Sequence, residues 1–357
     1  MEKELQNAEL RVKKAWPSVM SWVGSTSALI GLFVSIAGGV TWFVARHKKQ
    51  TERQSKMALA EAQATQGEYQ ASIKSYADIL SGDPLYRPAL DQQLNAAMRW
   101  TEDFHVVTRA DQNSAELAAP ALDQIFAILD AGHIRSKGSE AADVQAHIGW
   151  AHWLNEKIAN REFDSVAEQN LRAALGADPQ NVYANAMLGN WMLQKGRSLN
   201  EAIQHLNIAV STGKERPLVR RMQFGGLIYP DRKGARAEMI RAANDMRKTG
   251  EALDEGYKSR ILSFCFSPVG DHKRLKESLS AVPPDEAWKT YLWLDDKVQD
   301  GQAQTMVHDF IYANLLELSG KRQESLQKFR LLQRVLKSQP GSMKNSVDAA
   351  AARLAQE

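Results

Sequence analysis

The sequence predicts an all-α protein: one apolar helix near the N-terminus, then a long body of antiparallel helix pairs. Three observations predict this. Residues 15–45 carry no charged side chain. Beyond them apolar residues recur at helical spacing, and alternating β-branched runs are almost absent. A pattern of small, aromatic and turn residues returns four times along the body. The expected layout is a charged tail (1–19), a membrane-spanning helix (20–45), a basic juxtamembrane linker (46–56), a repeat body (57–340) and a C-terminal capping helix (341–357).

The core of the apolar run, Trp22 to Val44, matches the roughly 20 residues a helix needs to cross a hydrocarbon layer of about 30 Å. It does not end in the small residues of a cleavage site but in Trp-Phe-Val-Ala-Arg-His-Lys-Lys, which favours a retained anchor over a signal peptide. Trp16 and Trp22 at one end and Trp42 at the other suit an aromatic belt. Ser27, Gly31, Ser35 and Gly39 recur every fourth residue and form a small-residue ridge, the surface that lets two helices pair in lipid and so form a homodimer. Lys3, Arg11, Lys13 and Lys14 precede the run; Arg46, Lys48, Lys49, Arg53 and Lys56 follow it. By the positive-inside rule this leans toward a cytoplasmic body in an inner or plasma membrane, with both topologies left open.

In the body, Leu59-Ala60 is followed by Gly67-Glu68-Tyr69, Ser72, Tyr76, Ile79 and Asp83-Pro84. A second unit spans Val144 to Pro179, with Ile148-Gly149, Ala167, Leu171, Ala174 and Pro179 and an over-long turn at Asn160–Asp164. A third follows directly, with Leu188-Gly189, Gly196, Ala202, Leu206 and Ala209. A fourth has Tyr312-Ala313, Gly320, Ser325, Phe329 and Leu332, with Pro340 slightly late. Small residues let the two helices of a unit touch, aromatic ones fill the gap to the next unit, and proline ends the second helix. These units resemble the tetratricopeptide repeat (TPR). The resemblance implies an α-solenoid of stacked helix pairs, packed at Gly67, Tyr69, Tyr76, Pro84, Gly149, Ala167, Pro179, Gly189, Ala202, Gly320 and Phe329. It also implies partner proteins held on a concave face. Residues 85–143 and 215–305 keep helical periodicity without the pattern and read as degenerate pairs of the same stack.

The formal net charge of +3 gives no global attraction to polyanions, and Cys265, the single cysteine, sits between two phenylalanines as a small buried hydrophobe. There is no phosphate-binding glycine loop, no nucleophile elbow and no H-E-x-x-H helix. His147 and His152 are five apart, off the spacing that would aim both at one metal, and His147 reads as structural. Neither cofactor nor metal is expected. Between residues 214 and 248 basic residues outnumber acids, and Arg216, Arg220, Arg221, Arg232, Lys233, Arg236 and Arg241 form a candidate patch for an anionic partner, an acidic peptide or anionic lipid. A plain solvated surface is its competing reading, and nucleic acid is not expected, because interleaved aromatics are few. The function these features suggest is a membrane-anchored scaffold or adaptor without catalysis. An envelope-assembly or export chaperone with its body outside the cytoplasm is the alternative. A divergent enzyme with its site in 215–305 is the third reading.

Overall fold

A computed structural model describes residues 26–104, 112–158, 166–212, 216–228, 232–267, 272–295, 306–338 and 341–356, with the side chains of 26–45, 112–117, 216, 272, 273 and 338 excepted. Every regular element among them is helical, sixteen α-helices and one short 3-10 turn. The fold is all-α, built from helical repeats. The predicted anchor and its stripe of Ser27, Gly31, Ser35 and Gly39 lie outside the residues whose side chains are described; the backbone there is helical from Thr26. Among the described residues no helix is long and apolar enough to cross a membrane. The chain divides into two compact units, Met1–Ala97 and Met98–Glu357.

In the first unit α1 (Thr26–Thr65) turns at Gly67 into α2 (Tyr69–Gly82), and α3 (Arg87–Asp103) begins beyond Pro84 and belongs to the second unit from Met98 onward. Gly67 has φ +80°, left-handed backbone that an L side chain resists. The Glu68 N–H reaches back to the Gln63 carbonyl at 2.9 Å, closing the helix end in a Schellman turn. The same turn recurs at Gly196 and Gly320. Each of these glycines lies seven residues after the small residue of its unit: Ala60, Gly189 and Ala313. The small residues then touch the partner helix. Ser72 Oγ donates to the Ala60 carbonyl at 2.7 Å, and Ser325 Oγ donates to the Ala313 carbonyl at 2.8 Å, both bonds buried. A side-chain hydroxyl twelve residues on thus locks the crossing in the first and the fourth pair. Each such bond stabilises by about 1 kcal/mol.

In the second unit α4 (Gln112–Arg135) packs on α5 (Ser139–Ile158). Two hairpins follow, α5 with α6 (Val166–Ala177) and α7 (Val182–Gln194) with α8 (Leu199–Ser211). Here the crossing contact is a glycine. A Cβ built on Gly149 would lie 3.1 Å from the Ala167 carbonyl oxygen and 2.9 Å from Leu171 Cγ. On Gly189 it would lie 2.9 Å from the Ala202 oxygen and 2.8 Å from Leu206 Cγ. Ala167, Leu171, Ala202 and Leu206 are fully buried. Asn181 and Ser198 cap α7 and α8 by accepting the Ala184 and Glu201 amides. The over-long turn predicted at Asn160–Asp164 lies outside the described residues, as does Pro340.

The segment read as degenerate pairs departs from the repeat. Helix α9 (Arg216–Ile228) packs mainly against α7, the first helix of the preceding unit, and only lightly against α8. Gly226 permits this approach: a Cβ there would come within 2.8 Å of Leu193 Cδ1. Helix α10 (Ala235–Thr249) lies against α12 (His272–Leu279) and α13 (Pro284–Leu294) more than against its sequence neighbour α11 (Glu255–Cys265). Pro284 starts α13 where its missing N–H costs nothing. The fourth pair, α14 (Met306–Leu318) and α15 (Arg322–Val335), follows, and α16 (Ser342–Gln356) covers α15 through Val347, Ala350, Ala351 and Leu354.

Candidate interaction surface

Helices α5 and α7 are the inner members of the contiguous pairs, and an open solenoid would expose one side of each. Neither is exposed on a broad face. Eleven residues of α7, from Val182 to Leu193, are buried, including Asn185 and Asn190, and α5 buries His147 and Glu156 with its apolar residues. Both helices are therefore largely covered by the protein itself. His147 shows how: Nδ1 lies 2.7 Å from the Asp143 carbonyl and Nε2 lies 3.0 Å from Glu102 Oε1 at the end of α3. Arg221 of α9 bonds Asp103 at 2.5 Å, beside it.

What remains accessible is the edge where α5 and α7 end. The Trp153 ring carries two ammonium groups, Lys157 Nζ and Lys195 Nζ, each 4.7 Å from its centre. Lys195 also pairs with the buried Glu156 carboxylate at 3.2 Å. Lys157 donates to Gln194 Oε1 at 2.7 Å, Gln194 donates to Asn190 Oδ1 at 2.9 Å, and Asn190 donates to the Met222 carbonyl. This ladder ties α5, α7 and α9 together at one end. Exposed Arg197 lies next to it, and Arg232 donates to the Arg197 and Met192 carbonyls, capping the last turn of α7 with positive charge. Exposed Lys233 follows Arg232. The edge thus gathers Lys157, Lys195, Arg197, Arg232 and Lys233, with the Glu156 carboxylate under Lys195 and the Glu277 carboxylate on the Gly234 amide beside Lys233.

Burial, and then the neighbouring charge of Lys195, lowers the Lys157 pKa from 10.5 to about 8. Between those two values the unfolded chain holds a proton that the folded chain has released, so stability rises with pH across that window. Urea midpoints from pH 7.5 to 10.5 should climb more for the parent than for Lys157→Met, by at most about 3 kcal/mol. Parallel profiles would show that Lys157 is not desolvated.

The seven residues predicted to form one anionic-partner patch do not share one surface. Arg220 is buried and held by Asp245 at 2.7 Å and Glu251 at 2.9 Å. Arg221 pairs with Asp103, and Arg241 with Glu238 on its own helix. Arg236 is buried with its guanidinium 4.0 Å above the Phe264 ring. Only Arg232 and Lys233 join the edge; the Arg216 side chain is not described. Sequence counting finds the cations but not their partners, which lie 3 to 118 positions away. Lys157, Lys195 and Arg197 escape sequence counting because they are scattered over two repeats; their place at or just past the ends of first helices is the available signal.

The repeat-packing residues fall into two groups. Tyr76, Ala167, Ala202 and Phe329 are buried, Gly149 and Gly189 sit at helix crossings, and Gly67 and Gly320 turn the chain. Pro84 and Pro179 are exposed past helix ends, and Tyr69 is half-buried. Cys265 is buried and no group of three metal-ligating side chains occurs among the described residues.

No family model and no curated protein matches this sequence. Among solved structures, the chain is similar to the crystal structure of the P58(IPK) TPR domain, at 13% identity over 85% of this chain and 98% of that one, with a TM-score of 0.18. At that score the two chains do not superpose as wholes, and the repeat assignment stands on the contacts described above.

Proposed function

We propose that this protein is a membrane-anchored helical-repeat scaffold that binds partner proteins and carries out no catalysis. The observation that supports partner binding is the cationic edge at the ends of α5 and α7. Its cations come from the last turn of α5, the loop after α7 and the loop before α10, and a Trp, a side chain enriched at interfaces, lies beneath two of them. An acidic segment of a partner is the matching chemistry. Charge reversal at Lys195, Arg197 and Lys233 together should abolish cross-linking of partners to residues 150–235 in native membranes. Unchanged cross-links would remove the edge from the function.

The anchor in this proposal is the charge-free run 15–45, whose length and aromatic flanks carry the reading. The small-residue stripe adds a proposed homodimer contact within lipid, and the body is placed on the cytoplasmic side by its slight excess of flanking cations. Deleting residues 1–45 should move the protein entirely from the carbonate-resistant membrane pellet to the supernatant. If the shortened chain still pellets, another element holds it.

A further inference from the structure

We infer that the cleft between α1 and α2 in the first unit binds the phosphate-bearing headgroup of an anionic membrane lipid. The inference rests on the anchored reading above. The cleft has a volume of about 330 Å³ and is lined by Lys49, Glu52, Arg53 and Lys56 of α1 and Asp78, Ile79 and Gly82 of α2. No side chain fills it from Gly82, around whose Cβ position there is nothing within 4 Å.

Its charges are unequal in availability. Glu52 is neutralised by Lys56 at 3.0 Å. Arg53 bonds Asp83 at 3.1 Å and lies 4.3 Å above the Tyr86 ring. Asp78 is exposed and opposes anion binding. Lys49 is exposed and has no ion pair among the described residues. Arg46, Lys49, Arg53 and Lys56 follow one another at offsets of three, four and three, so they share one face of the helix.

Position along the helix supplies the ligand. Helix α1 runs without a break from Thr26 to Thr65. At 1.5 Å per residue, Lys49 stands roughly 6 Å beyond Ala45 and Arg53 roughly 12 Å beyond it. The headgroup layer occupies about 5–8 Å on each side of the hydrocarbon. Side chains on a helix lean toward its N-terminus, which brings Arg53 and Lys56 back toward that layer. Because α2 runs antiparallel, its C-terminal end faces the same way. The loop that follows is tied to Arg53 through Asp83 and Tyr86, and between them Leu85 is 86% exposed. An apolar tip beside a cationic cleft, both at the end nearest the apolar run, is the arrangement a bilayer surface recognises.

The test uses the full chain, reconstituted in bilayers of phosphatidylcholine with one-fifth phosphatidylglycerol, solubilised, and assayed for retained lipid by mass spectrometry. The parent should retain phosphatidylglycerol several-fold above its bulk ratio. Lys49→Gln with Lys56→Gln, both surface substitutions, should bring that enrichment down to about the bulk ratio. Equal enrichment in parent and variant, or none in the parent, overturns the proposal. Loss of the retained lipid to inorganic phosphate at about 10 mM overturns the lipid and leaves a free-anion site. Carbonate extraction of both proteins separates the two readings: release of the parent refutes the anchor, whereas retention of both with unchanged lipid ratios refutes only the cleft.

Discussion

Gly189→Leu will destabilise the second unit by about 3 kcal/mol or more, at the upper end of the range for overpacked cores. A single added Cβ already meets the Ala202 carbonyl oxygen at 2.9 Å and Leu206 Cγ at 2.8 Å. The first of these is backbone and cannot rotate away, so α8 must shift as a body. Every neighbour of α8 on α7 would lose contact with it. For a unit of this size the loss corresponds to a fall in melting temperature of roughly 6–12 °C. Stacked repeats lose cooperativity easily, so amide exchange is the sharper measurement: α7 and α8 should exchange faster than α14 and α15. Gly149→Leu should behave similarly at α5 and α6. The control is Gly176→Ala, where nothing lies within 4 Å and helix propensity predicts a small gain, up to about 1 kcal/mol. If Gly189→Leu melts with the parent, the crossing between α7 and α8 is not close-packed.

These glycines were readable in the sequence because close helix crossings admit few side chains. Ala60, Gly149, Gly189 and Ala313 stand out as small residues beside large apolar ones. Turn glycines seven positions after three of them repeat the signal. What spacing does not show is a tertiary substitution of one contact for another. Ser72 and Ser325 look like polar replacements at a small-residue position, yet each hydroxyl bonds the facing carbonyl. Residues 215–305 failed for a different reason. Gly225-Gly226 resembles a loop signal, but it lies inside a helix and admits Leu193 of α7. Burial of α7 on nearly all sides was likewise hidden: Asn185 and Asn190 suggest a solvated face, whereas both are spent on hydrogen bonds within the core. Of the cationic edge, the sequence count reaches Arg232 and Lys233 but not Lys157, Lys195 and Arg197, which meet them only once the helices stack.

Arg220→Ala should cost about 3–5 kcal/mol, the loss seen when one partner of a buried ionic cluster is removed. Arg220 is 4% exposed, and its guanidinium joins three groups: Gln223 on its own helix at 3.0 Å, Asp245 at 2.7 Å and Glu251 at 2.9 Å. It therefore fastens α9 to α10 and to the turn that ends α10 at Gly250. That turn is a Schellman closure, with the Glu251 amide bonded to the Met246 carbonyl at 2.9 Å and Gly250 at φ +72°. Removing Arg220 withdraws the cation from Glu251, which is 13% exposed, while Asp245 at 56% can turn to water. The penalty is thus carried by Glu251 more than by Asp245. A second variant separates charge from packing: Arg220→Met with Glu251→Gln keeps the volume and removes both buried charges, and should recover most of the loss. Urea midpoints of residues 46–357 provide the comparison. If Arg220→Ala alone costs less than about 1 kcal/mol, the size of an exposed ion pair, then Arg220 belongs to the solvated patch that sequence counting predicts. If it is costly and the double variant is not rescued, the apolar stem of Arg220 holds α9 in place and the carboxylates are incidental.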